Sequence, residues 1–183
     1  MSIFGRIIGT LTFKRDVVED IEQSAGLTLE AFILIIIAWI CGVFSFYLST
    51  EPPGNPLNTT LIFSLVISQA IFTLSWFLVA AILGNAFGGE TSFLEIVRCM
   101  GYAYIISVLQ IIPGLMVYTN TFPTMAWIIN LLIIIWALIN TIFVLSVALD
   151  KGIISAAIIG LIAVIVAVIA WWAIDTLLTN FLL

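Results

Sequence analysis

The residues of this chain that could do chemistry are few enough to weigh one at a time. Ser92, Glu95 and Arg98 follow at three-residue steps, so a helix would carry them on one face. A serine followed three positions later by a glutamate is a capping box: the hydroxyl accepts a free N–H of the first turn, and the carboxylate reaches back to the serine N–H. Arg98 can pair with Glu95 or extend its head to an interface. Each of the three has a structural task, which leaves Glu95 poorly suited as a catalytic base. Gly88 and Gly89 permit a tight reversal just before them. No Gly-Lys-Ser/Thr follows, so the loop is not a phosphate cradle. There is no histidine, which excludes a His-ligated metal and any Ser-His or Cys-His pair. Cys41 and Cys99, far apart in apolar surroundings, read as small buried hydrophobes. Gln69, Gln110, Asn130 and Asn140 lie within apolar runs and are expected to bond across helices. No catalytic residue, cofactor site or metal site is assigned.

The elements that must position these residues follow from composition. Of 183 residues 63% are hydrophobic and only 8% charged, too little polar surface for a water-soluble domain. The net charge of −5 excludes a nucleic-acid binder. A membrane-crossing helix needs about 20 apolar residues. Five stretches qualify, at about 31–48, 61–83, 93–118, 124–149 and 153–175. The fold class is therefore all-α: a polytopic bundle of five transmembrane helices in contact with the lipid bilayer. Breaks at 51–56, 87–91, 119–123 and 150–152 separate the spans, the last being the shortest. Joining the final two spans would make a rod of about 90 Å, far too long for one crossing. Pro113 inside the third span is expected to bend it.

Residues 1–29 form a separate amphipathic segment before the transmembrane domain at 30–183. Ile3, Phe4, Ile7, Ile8 and Leu11 make one helical stripe, and Val17, Val18 and Ile21 a second among acids. The first part, with Arg6, suits an anionic membrane surface; the acidic part should lie against protein or face the cytosol. The acids before the first apolar run do not suit a cleavable signal peptide, so that span is expected to remain in the mature chain. Arg6, Lys14, Arg15, Arg98 and Lys151 all fall on one side of a five-span topology. The positive-inside rule then places the N-terminus in the cytoplasm and the C-terminus outside. Tyr47, Tyr118, Trp127, Trp171 and Trp172 fall near the outer ends as an aromatic belt, whereas Trp39, Trp76 and Trp136 are mid-span packing residues. Asn58-Thr59-Thr60 is a glycosylation sequon on the outer side, close to a span and poorly accessible.

The run GGETSFLEIVRCMGYAY, which contains Gly88, Gly89, Glu90, Ser92, Phe93, Glu95, Arg98, Gly101 and Tyr102, resembles the signature of the Yip domain family, the Ypt/Rab-interacting membrane proteins. FKRDVVEDIEQSAGLTLEAFIL resembles the family's lead-in to its first span. IWALINTIFVLSVALDKGIISAAIIG resembles its fourth-to-fifth junction. The lead-in of about thirty residues is similar to that of short prokaryotic members, which points to a prokaryotic cell membrane. The resemblance implies a non-enzymatic protein that organises membrane or recruits cytoplasmic partners. In eukaryotic relatives these include a small GTPase in trafficking, and assembly with copies or other membrane proteins is implied as well. The rival reading from the residues alone is a small transporter or channel subunit, with a hydrated path lined by Gln69, Gln110, Asn130 and Asn140.

Overall fold

The computed structural model describes residues 1–50 and 59–182, and every regular element among them is a helix. Helix α1 (Ile3–Leu11) begins at Ser2, whose hydroxyl accepts the Gly5 N–H at 3.2 Å. Helix α2 (Arg15–Gln23) follows a turn in which Phe13 takes a left-handed conformation and the Lys14 N–H returns to the Gly9 carbonyl. The first span is α3 (Thr28–Thr50) and the second α4 (Thr59–Ala86). The third is broken into α5 (Phe93–Tyr104), a 3-10 stretch (Ile105–Gln110) and α6 (Ile111–Tyr118). Helices α7 (Pro123–Ala148) and α8 (Ile153–Leu182) complete five helices long and apolar enough to cross a membrane.

The five spans pack in a closed order: α3 lies along the broken third span, which lies against α7, then α8, then α4, which returns to α3. Neighbours along the ring run antiparallel where short turns join them. One end of the bundle, called proximal here, therefore carries α1, α2, the 87–92 loop and the 149–152 turn. The other end is distal. Buried Ile21, Ile35, Ile96, Met100, Tyr102, Leu145 and Leu149 concentrate the core at the proximal half. The outer faces of α7 and α8 expose rows of large apolar side chains, Leu131, Leu132, Leu138, Leu161 and Ile169 each more than half exposed. Such contiguous apolar surface suits the hydrocarbon of a membrane.

Four details bear on the expectations. The expected stripe Val17, Val18 and Ile21 is buried against the bundle, α2 packing on α5 and α7. Arg6 turns inward rather than to a membrane surface and is 8% exposed, whereas Phe4 and Ile8 on the opposite side of α1 face outward. Arg6 prefers the interior because its guanidinium finds a carboxylate there, as described below. Tyr47 is buried at 4% exposure and so belongs to the core rather than to an aromatic belt, while Trp127 and Trp172 do face outward. Trp136, expected to pack mid-span, is 48% exposed and stacks on Phe13 at 6.1 Å between ring centroids. The sequon Asn58 lies outside the described residues.

Pro113 acts as expected, but its effect is felt upstream. Lacking an N–H, it cannot bond the carbonyl of Leu109, and the preceding 105–110 turn tightens to 3-10 geometry.

Candidate functional site

At the proximal end the chain's capping and charge chemistry gathers on one face. Helix α4 ends at Ala86 because Gly88 takes a left-handed conformation, φ 80°, that a side chain disfavours. The Gly88 N–H then bonds Asn85 O at 3.0 Å and the Gly89 N–H bonds Gly84 O at 2.9 Å. The Asn85 side chain fixes the rest of the loop: its Nδ2 donates to Thr91 O at 2.8 Å and its Oδ1 accepts from Thr91 N at 2.9 Å. Gly89 is pressed against the neighbouring turn, where a Cβ would lie 3.0 Å from the Leu149 carbonyl oxygen. The two proximal loops are thereby joined.

Helix α5 starts with the expected capping box. Glu95 N donates to Ser92 Oγ at 3.2 Å, and Ser92 N donates to Glu95 Oε2 at 2.6 Å. Arg98 is buried, and its role is larger than a pairing with Glu95, which lies 3.8 Å away. Its Nε donates to the Glu22 carbonyl at 3.0 Å, Nη2 bonds the same oxygen, and Nη1 reaches Thr28 Oγ1 at 3.4 Å. A cation on the last carbonyls of α2 complements that helix's negative end. Arg98 thus anchors α2 to α5.

Gly101 and Tyr102 do the same for α3 and α1. A Cβ on Gly101 would stand 2.7 Å from the Ala31 carbonyl oxygen, so only glycine permits this crossing of α5 on α3. Tyr102 is buried, and its hydroxyl accepts from Arg6 Nε at 3.0 Å and donates to Glu30. Arg6 Nη2 donates to both Glu30 oxygens at 2.7 Å, Nη1 caps the Met1 carbonyl, and the guanidinium lies 5.7 Å from the Tyr102 ring centroid. The hydrogen bonds that Arg6 donates to Glu30 raise its already high pKa, so the cation is permanent.

Around these anchors lies an acidic depression, lined by Glu19, Glu22 and Gln23 of α2, Glu90 and Glu95 of the loop and α5, and Asp150 of the 149–152 turn. Burial chiefly, and then the charges of Asp150, Glu95 and Glu19, push the Glu22 carboxyl up to about 7. Arg15 pairs with Glu19 at 2.7 Å on the exposed side. Among the described residues no group of three or more His, Cys, Asp or Glu is arranged to hold a metal ion.

The structure therefore gathers all nine motif residues at the proximal end but spends most of them inward. Gly89, Ser92, Glu95, Arg98, Gly101 and Tyr102 bind other parts of the chain. Phe93 is half-buried against the core. Gly88 and Glu90, with Phe87 beside them at 61% exposure, remain open to the outside. Sequence reasoning missed Arg6 and Glu30 as partners. The available signal was a carboxylate at the start of an apolar span, which requires a cation.

The four amides do not line one path. Gln69 Nε2 donates to Tyr104 Oη at 3.2 Å, in a network that continues through Thr73 to Trp39. Asn140, fully buried, donates to the Thr10 carbonyl at 2.8 Å and so holds α1 against α7. Gln110 and Asn130 face a different cavity in the distal half. Cys99 is buried and Cys41 half-buried, both free thiols.

The family model of the Yip1 domain matches residues 8–174 of the chain. Comparison with curated proteins and with solved structures gives no match.

Proposed function

Because the chain belongs to the Yip1 domain family of multi-pass membrane proteins, we propose that it is a non-enzymatic recruiter of cytoplasmic partners, acting through its proximal face. The observation that carries this reading is convergence. The N-terminal helices, the 87–92 loop and the 149–152 turn are tied to one another through Arg98 and Glu22, and through Gly89 and Leu149. Three segments distant in sequence thus present one preformed surface, as a recognition face requires. The same end gathers all five basic residues, which supports a cytoplasmic orientation for it and an external C-terminus. Gly88 and Glu90 of the family motif, with Phe87 beside them, are open to meet a partner. The resemblance makes a small GTPase one candidate partner, and a second membrane protein another.

Photocrosslinkers placed at Phe87 and Glu90 in the full chain, activated in native membranes, test this. A discrete protein adduct supports recruitment. Lipid adducts alone overturn it in favour of membrane shaping. A periplasm-active reporter fused after Leu183 should be active, and silence there would overturn the orientation.

A further inference from the structure

The distal half holds a cavity of about 300 Å³ between α3, the break in the third span and α7, lined in part by Gly42, Ser45, Ser49, Gln110, Trp127 and Asn130. Its origin is the 3-10 stretch, which ends at Gln110 immediately before α6. Gln110 lies eight residues before the end of α6 and Asn130 seven after the start of α7. At about 1.5 Å per residue both amides sit roughly 10–12 Å below the distal end, inside the hydrocarbon.

What distinguishes these amides from Gln69 and Asn140 is that neither side chain has a hydrogen-bond partner among the described residues. The serines are already engaged: Ser45 Oγ donates to the Gln110 carbonyl and Ser49 Oγ to the Ser45 carbonyl at 2.9 Å. An amide in hydrocarbon without a partner is costly, and a space of this size, lined mostly by apolar groups with two amides among them, is large enough to hold one. The lining contains no charged residue. An occupant that both donates and accepts hydrogen bonds would satisfy both ends of each amide, and an uncharged one suits that depth, where a charged headgroup would not follow. The rim carries Phe46 and Trp127, at 52% and 74% exposure, large apolar side chains suited to lipid.

We propose that this cavity binds an uncharged glycerolipid of the distal leaflet: its ester carbonyls accept from the Gln110 and Asn130 amides, its free hydroxyl donates to them, and its acyl chains leave past Phe46 and Trp127. The site lies at the opposite end from the proposed recruitment face and is independent of it.

The full chain in phosphatidylcholine vesicles is labelled with a diazirine-bearing diacylglycerol and, separately, with phosphatidylcholine carrying the same diazirine. The diacylglycerol probe should mark the rim at Phe46 and Trp127, and excess unlabelled diacylglycerol should remove the mark. Gly42→Leu should abolish it, because a Cβ there meets only Gln110 Oε1 at 3.8 Å and the larger side chain fills the cavity. Asn130→Leu, which alters one amide and no helix crossing, provides the same test should the first variant fail to fold. Equal labelling by the two probes, or labelling that survives both variants, would mean that the cavity holds water and bulk lipid only and would overturn the assignment.

Discussion

Replacing Arg6 by methionine would leave the Glu30 carboxylate with Tyr102 as its remaining partner. Removing one member of a buried pair costs about 3–5 kcal/mol, because the other charge stays desolvated. The Glu30 side chain is 26% exposed against 9% for Arg6, so water recovers part of the loss. The lower end of that range, about 3 kcal/mol, is expected. Glu30→Met should cost at least as much, since the guanidinium it strands is the more buried of the two. Replacing both by methionine removes both charges and keeps apolar bulk, so the double variant should fall within about 1 kcal/mol of the original. The cycle then yields a coupling of about 5 kcal/mol. The full chain in mixed micelles, titrated with dodecyl sulfate and followed by tryptophan fluorescence, gives the three stabilities. Trypsin provides a second readout, since Lys14 and Arg15 are already exposed and each single variant should loosen the backbone around them as α1 detaches, speeding cleavage. Additive losses, with no recovery in the double variant, would refute the claim that this pair locks the N-terminal helix to the bundle.

Three further outcomes follow from the proximal contacts. Gly101→Ala drives a Cβ to 2.7 Å from backbone oxygen of α3, which cannot swing away, and should cost about 1–3 kcal/mol in the same titration. Ser92→Ala removes the cap on α5 and should cost about 0.5–2 kcal/mol, with Ser92→Asp recovering most of it. Glu22 carries a carboxyl raised from 4.5 to about 7, so the folded state binds its proton more tightly than the unfolded chain does. Its contribution is full below about 4.5 and is lost as pH rises to about 7, so melting temperature should fall across that window. Glu22→Gln should flatten the profile, and an unchanged slope would contradict the burial argument.

The spans were legible because hydrocarbon imposes length and polarity together, and the capping box because its two bonds are local. Pro113 announced a disturbance, but where the helix would tighten depended on Ser45 taking the Gln110 carbonyl from a neighbouring span. The Arg6 network was hidden for a different reason. Its members lie 24 and 96 residues apart, a separation that carries no periodicity. Helical spacing could not say which side of α1 met protein, because a guanidinium suits a lipid headgroup or a buried carboxylate equally well. The amides were read as one class since composition does not distinguish Asn140, which found a helix end, from Asn130, which found a cavity.

The hydrogen bond from Asn140 to the Thr10 carbonyl has a consequence for biogenesis. Its two ends are 130 residues apart, so at 5–20 residues per second a ribosome takes roughly 7 to 26 s to supply the second after the first. Within that interval α1 gains first Glu30 and then Tyr102 as partners for Arg6, and Asn140 only at its end. The contact of α1 with α7 is thus among the last to form. A nascent chain stalled before its fourth crossing would display α1 fastened at Arg6 but free at Thr10, a mark by which membrane quality control could tell it from a finished molecule.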